Sequence, residues 1–527
     1  VLAANASATV VVSELDTGAD VPHLYSQERS NERRRHLAAE GCERYRSRFL
    51  GPSPYPLLFT SRLVAIFNLP LALVTGWLLW RSRDWPLAGD ATIFHFIAGQ
   101  MHMGAVPYRD IIDVNMPLTY GIHAAVVAIG GMSDIAWRAF DLTAAAVLAA
   151  LILVLLMPVG RAKAVLAVLV VLLMHLLLGP YAAGQRDFLM SIPALGVALV
   201  SARAAEDHHR RLLYLLLAGA LGMAAACIKP TGMLLLLLPA LALRLHAREI
   251  LSVIAGAAAV ALAVFGTLAA CGGLGAFVTM LDELLPGYAS MGAVSVPETL
   301  KAFQWIGPVA GLALAAALSM AEPKPPRVRL MIGLTVFGLI HLLAQRKGWS
   351  YHIYPLAIGL ACWGAWALAA LPRWRVVACL TAIAAILVWR VPNSAYRMER
   401  DPILQATAAM QSALENHLPR GARVQMLDAD NGAFLAMARA GMRQATAHIQ
   451  WFSLLVGKHP PRREFLDAIE GDPPAAVLLT NAEWPIWPGF QAADDWPELN
   501  AFLSSQYDVT ATGHHDYIEW RFYLRRG

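Results

Sequence analysis

Asp90 closes a polar link, "LAGD", and opens the helical stretch "ATIFHFIAGQMHMG". Ile93, Phe96 and Ile97 would hold that stretch on a membrane surface, leaving a carboxylate at the water–lipid boundary able to accept a proton from a hydroxyl. A plain helix cap is the other reading, because aspartate is favoured there. Arg186 and Asp187 open another apolar run in "GQRDFLMSIP". The helix dipole does not favour an arginine at that end, so it needs an anion: Asp187 itself, or a bound phosphate that Asp187 orients. Lys229, in "CIKPTG", stands at the edge of a run before a proline and a glycine. It either snorkels to the interface or belongs to a broken helix lining a cavity. Arg346, Lys347, Tyr351 and His352 fall together in "QRKGWSYHIYP". Such a basic cluster suits a sugar-phosphate or lipid-phosphate ligand, although His352 alone also fits a hydrogen-bonded interface histidine. "GAVPYRDIIDVNMPLTY" adds Arg109, Asp113 and Asn115 as contacts for an acceptor, while Asp110 fits an ordinary surface pair with Arg109.

These residues must be positioned by membrane helices. Of 527 residues, 57% are hydrophobic and 15% charged, with a net charge of +5; the mean hydropathy is +0.50. That composition excludes an ordinary soluble globule and points to a polytopic membrane protein. A span needs roughly 17–25 apolar residues. Runs of that kind are read near 58–80, 137–158, 162–180, 188–203, 211–228, 231–246, 249–271, 303–321, 328–345, 354–371 and 374–391. Pro117–Met132 is apolar but short and glycine-rich. Short links around Arg161/Lys163, Arg203/Arg210/Arg211, Arg244/Arg248, Lys324/Arg327/Arg329 and Arg373/Arg375 are basic and alternate along the chain, which marks the cytoplasmic side. For all of them to lie inside, together with a basic N-terminal tail, Pro117–Met132 must not cross. About eleven spans result, plus juxtamembrane helices, with the N-terminus cytoplasmic. The links carrying Asp90, Arg186, Lys229 and Arg346 then face the outside together.

Residues 1–56 read as a polar, disordered cytoplasmic tail, with the first span an uncleaved anchor, since "VLAANASATVVV" lacks the basic start of a signal peptide. Residues 57–391 form the membrane domain. Residues 392–527 read as a small extracytoplasmic α/β domain: "ARVQMLDAD" and "PAAVLLTN" as strands, "ILQATAAMQSALENHL", "REFLDAIE" and "WPELNAFLSSQ" as helices, and "YDVTATGHHDYIEWRFYLRR" as an antiparallel pair. The five cysteines follow no CxxC spacing and support neither a disulfide framework nor a zinc site. "GGLG" at 272–275 does not follow a strand, so it is no nucleotide motif. Asp282 and Glu283 belong to an outer loop and carry no assigned chemistry.

Taken in order, Asp90 in the first outer link, "GAVPYRD…NMPLTY", "QRD", "KPTG" and "KGWSYH" resemble the glycosyltransferase C (GT-C) superfamily, in its branch of lipid A aminoarabinose transferases, protein O-mannosyltransferases and rhizobial sugar transferases. The resemblance covers about residues 58–391. It implies a GT-C-like fold and inverting transfer of a hexose or pentose from a polyprenyl-phosphate sugar. The acceptor would be a hydroxyl or phosphate of a lipid, glycan or protein, on the periplasmic face of a bacterial inner membrane. It also implies Asp90 and Asp187 as catalytic acids and Lys229 near the donor phosphate. Many members pair two acids in the first loop, whereas Gly89 and Ala91 flank Asp90; without the second acid a divalent metal is not supported, and no cofactor is expected. Membrane lipids are expected partners and nucleic acid is not. A transporter or flippase of a lipid-linked or anionic solute is the alternative, which the lack of an inverted repeat disfavours.

Overall fold

Twelve helices carry the architecture up to residue 390: α1 (Leu57–Arg81), α2 (Asp90–His102), α3 (Pro117–Gly130), α4 (Asp134–Leu156), α5 (Arg161–Leu178), α6 (Arg186–Glu206), α7 (Arg211–Ile228), α8 (Ala247–Ala270), α9 (Val296–Leu318), α10 (Pro326–Gln345), α11 (Tyr354–Ala367) and α12 (Arg373–Arg390). They come from a computed structural model that describes residues 57–320, 325–392, 400–482 and 495–527. The tail expected over 1–56, and Lys324, lie outside the described residues.

Among the described residues, eight helices are long and apolar enough to cross a membrane: α1 and α4 to α10. The protein is a multi-pass membrane protein. Three of the eleven predicted spans have another form. Residues near 231–246 wind as a 3₁₀ helix, Pro230–Leu237, ending in a short α-helix, Leu238–Ala242. The tighter, more elongated winding rises about 2.0 Å per residue against 1.5 Å in an α-helix, so the apolar stretch reaches further than its residue count suggests. α11 has only 14 residues. α12 has 18 residues, but three of them, at its two ends, are arginines: Arg373, Arg375 and Arg390.

The segment between α1 and α4 leaves and returns at one end of the bundle. The Leu87 amide donates to Asp134 Oδ1 at 2.8 Å, and Arg138 donates to Ser82 Oγ. Its apolar helix α3 has 14 residues, about 21 Å at 1.5 Å per residue, against roughly 30 Å of hydrocarbon. Pro117–Met132 therefore does not add a crossing. The basic links meet at the other end, where Arg327 pairs with Glu206 at 2.6 Å and donates to the Leu155 carbonyl, and Arg211 pairs with Glu249 at 2.6 Å.

Past α12, α13 (Pro402–His417) and α14 (Ala433–Ala440) pack with a five-stranded sheet of order β2-β1-β3-β5-β4. β1 (Arg423–Leu427) runs parallel to β2 (Arg443–Gln444) and β3 (Ala476–Ala482). β3 and β4 (Tyr507–His515) are antiparallel to β5 (Ile518–Arg525). The expected strands and helices of this region are present, and β2 and α14 are additional. The region is not loosely tethered. Phe96 of α2 packs 5.9 Å from the Phe434 ring, one apolar cluster continues from α2 into β1, α13 and α14, and the Gln100 amide donates to the Met442 carbonyl at 2.9 Å. Arg439 pairs with Asp134 at 2.7 Å, and Tyr181 donates to Asp401 at 2.7 Å.

Candidate active site

A cavity of about 450 Å³ lies where the link ends of the bundle meet the sheet region. Its wall contains Asp90, Asp113, Asn115, Arg186, Lys229, Arg346, Lys347, Tyr351 and His352. Nine of the eleven residues singled out from the sequence are thus brought together from four separate links. The other two are placed differently.

Asp90 is the first residue of α2 and makes no capping bond. Instead its Oδ2 lies 3.1 Å from Arg186 Nη2 and accepts the Tyr351 hydroxyl at 3.2 Å. The cap reading falls, because the carboxylate is aimed across the cavity at another helix. Among the described residues no bond reaches its Oδ1. Arg186 does not pair with its neighbour Asp187; its guanidinium also lies over the Phe94 ring, 4.9 Å from the centroid.

Asp187 is wholly buried and does not line the cavity. Lys229 covers it, with Nζ 2.9 Å from Oδ2 and 3.1 Å from Oδ1. On the far side His341 Nε2 is 2.5 Å from Asp187 Oδ1, while His341 Nδ1 is 2.7 Å from Thr231 Oγ1. The local sequence explains the reach of Lys229. Pro230 disfavours an α conformation at the residue before it, and α7 stops at Ile228 with Lys229 extended (φ −143°, ψ 134°). Gly232 lets the chain turn back against α7, since a Cβ there would overlap the Ala225 backbone. Lys229 is therefore part of a broken helix rather than a snorkelling surface lysine.

Lys347 spends its ammonium on backbone: it donates to the carbonyls of Tyr288 (2.9 Å) and Met291 and lies over the Tyr288 ring. Burial pushes it down to about 8. It fastens the segment around Tyr288–Met291 as one wall of the cavity. Arg346, with positive φ (47°), is exposed and donates to the Val294 carbonyl at 3.2 Å. His352 is buried edge-on against Tyr351 and near His341, and its Nδ1 has no hydrogen-bond partner among the described residues. Asp113 Oδ2 accepts from Asn115 Nδ2 at 2.7 Å and from the Tyr120 hydroxyl at 2.6 Å. Arg109 is not brought to the cavity. Its guanidinium lies on exposed surface, bound to Asp110 at 2.7 Å and to the Cys271 carbonyl at 3.3 Å.

Sequence reasoning missed two groups. One is intramembrane: Arg138 and Asp141 of α4 and His175 of α5 are buried, with Arg138 bound to Asp141, His175 Nε2 3.2 Å from Asp141 Oδ2 and His175 Nδ1 2.7 Å from the Tyr354 hydroxyl. Asp141 Oδ1 accepts the Gly184 amide at 2.7 Å. Gly184, at φ +60°, makes the turn that leads into Arg186, and any side chain there would strike Trp137. Charged residues inside predicted spans were the available signal. The other group comes from the sheet region: Ala429, Asp430, Gln450 and Phe452 complete the cavity wall. Asp428 builds this corner, accepting from the amides of Ala429, Asn431 and Ala433 and from Thr480 Oγ1 at 2.6 Å. The turn leaves Asp430 in the left-handed region (φ 65°). Burial, with Asp90 and Asp428 nearby, pushes the Asp430 carboxyl well above the usual carboxylate range.

Among solved structures the chain is similar to ArnT from Cupriavidus metallidurans. The apo form matches with TM-score 0.57 and 13% identity over 86% of this chain and 97% of that one. The form bound to undecaprenyl phosphate matches with TM-score 0.54 and 12% identity over the same shares, 86% and 97%. This is a GT-C fold. The oligosaccharyltransferase of Archaeoglobus fulgidus is more distant, with TM-score 0.45 and 11% identity over 80% of this chain and 69% of that one. No family model matches the sequence, and no curated protein does. The GT-C likeness read from the link motifs thus reappears in the three-dimensional arrangement.

Proposed function

We propose that this protein is an inverting glycosyltransferase of a bacterial inner membrane, moving a hexose or pentose from a polyprenyl-phosphate donor to an acceptor on the periplasmic face. Its N-terminus would be cytoplasmic and residues 392–527 periplasmic. One observation carries the reading: the cavity sets a carboxylate with an uncommitted oxygen, Asp90 Oδ1, beside two cations, the partly buried Arg186 and the buried Lys229. One of the ArnT structures is bound to undecaprenyl phosphate, which agrees with a polyprenyl-phosphate donor for this chain.

In this reading the acceptor oxygen attacks the anomeric carbon while the bond from that carbon to the phosphate oxygen breaks, its electron pair leaving with the phosphate. The acceptor proton goes to Asp90 Oδ1. Arg186 and Tyr351 hold Oδ2, so the carboxylate is oriented before the acceptor arrives. Arg186 and Lys229 stabilise the charge that grows on the leaving phosphate. In a partly desolvated cavity they act more strongly than in water and without reorganising. Asp187 acts as a positioning residue that holds Lys229, and Lys347 as one that holds the cavity wall.

The experiment is release of polyprenyl phosphate from a panel of undecaprenyl-phosphate sugars by the purified full chain in detergent. Release with an inverted product is expected, and Asp90→Asn lowers it by about 10²–10⁴-fold while donor binding persists. Donor bound or moved across vesicles without release would favour a flippase and end this reading.

A further inference from the structure

The two halves of the cavity differ in chemistry. The half built from the ends of membrane helices supplies the cations Arg186 and Lys229. The half built from the sheet region supplies one acid, one amide and one aromatic ring: Asp430, Gln450 and Phe452, with no cation among them. Phe452 lies 5.0 Å from the Tyr288 ring, so the two form a continuous apolar surface. Asp430 makes no hydrogen bond or ion pair to any described residue, in contrast to Asp90 and Asp187, which both have cationic partners. Its backbone is held in an uncommon conformation for a non-glycine residue by the bonds to Asp428, and such strain persists only where the surroundings impose it.

From this division, and resting on the glycosyl-transfer reading, we infer that Asp430, Gln450 and Phe452 form the acceptor subsite, and that it takes a neutral hydroxyl-bearing group, such as a sugar of a glycan, rather than a phosphate. A sugar offers hydroxyls to a carboxylate and an amide and a C–H face to aromatic rings. A phosphate entering the same half would meet no cation, so its negative charge would go uncompensated there. The reacting hydroxyl then faces Asp90, which takes its proton, while Asp430 accepts a hydrogen bond from a neighbouring hydroxyl of the acceptor and orients it.

The test uses the full chain with a donor that releases polyprenyl phosphate, and two probe acceptors: an alkyl glycoside and the same glycoside as its phosphate monoester. Wild type is expected to glycosylate the alcohol and to prefer it over the monoester by about tenfold or more. Asp430→Gly suits the left-handed backbone and removes the carboxyl, and Asp430→Asn keeps the shape. Asp430→Gly should raise the acceptor KM by about 2- to 13-fold, the range for losing a hydrogen bond, and Asp430→Asn, which keeps an accepting oxygen, by less, with the acceptor KM rising more than the donor KM. Preference of the wild type for the monoester, or an unchanged acceptor KM in both variants, overturns this inference while transfer itself stands. Absence of polyprenyl phosphate release from every donor overturns the transfer reading, and this inference with it.

Discussion

Two buried carboxylates, Asp187 and Asp141, differ in what they touch. Both are fully shielded from solvent, and each has a cation and a histidine as partners: Lys229 and His341 for Asp187, Arg138 and His175 for Asp141. The Asp187 group reaches the cavity directly, because Lys229 forms part of its wall. The Asp141 group reaches it only through backbone, by accepting the Gly184 amide two residues before Arg186. The same kind of charge cluster thus holds a cavity-lining cation in one place and fastens helices together in the other. Burial and a charged partner do not by themselves mark a catalytic acid.

The largest effect is expected at Lys229. Lys229→Met leaves the Asp187 carboxylate without its cation and should lower stability by about 3–5 kcal/mol, read by thermal unfolding, and turnover by about 10²–10³-fold, read as polyprenyl phosphate release. Adding Asp187→Asn should recover most of the stability and none of the turnover. A double variant that regains turnover breaks the assignment of Lys229 to the leaving phosphate. Asp141→Asn comes next. It strands Arg138 and should lower stability by a comparable ~3–5 kcal/mol, yet turnover per folded molecule should fall less than about tenfold, since only the Gly184 contact is disturbed. A fall as deep as that of Lys229→Met would mean that the two clusters act as one.

The smallest effect is expected at Lys347. Its folded pKa, about 8, lies below the ordinary 10.5 because burial disfavours the ammonium. The unfolded chain therefore holds more protons than the folded one between these values, and this group makes stability rise with pH across that window. Lys347→Met should flatten the rise between pH 8 and 10 in thermal unfolding, with turnover at pH 7 changed only through the mobility of the Tyr288–Met291 wall. An undiminished slope would place its origin elsewhere.

Much of the fold was legible because hydropathy and turn chemistry are local. The apolar runs, the basic links and the alternating "YDVTATGHHDYIEWRFYLRR" all gave the elements found. Eleven spans were expected and eight helices meet the length and apolarity of a span; the difference comes from a proline-broken 3₁₀ stretch, a short α11 and the arginines of α12. The candidate site was legible in part. Asp90, Arg186 and Lys229 stood out as charges beside apolar runs, and they do converge. Arg109 stood out in the same way and pairs with Asp110 on the surface instead. His341, His175 and the Arg138–Asp141 pair passed unnoticed inside apolar runs, although an ionisable residue there is costly unless it has a partner.

By itself the sequence determined where most of the long apolar helices run, and that Pro230 and Gly232 break a helix beside Lys229. Those follow from transfer free energies and backbone sterics acting over a few residues. Only the tertiary structure decided that Asp90 faces Arg186 rather than its own helix, that Asp187 lies beneath Lys229, and that Asp430 joins the cavity from beyond residue 400. Pairings of this kind depend on which helix ends pack side by side, and charges brought together across a hundred or more residues leave no trace in local composition.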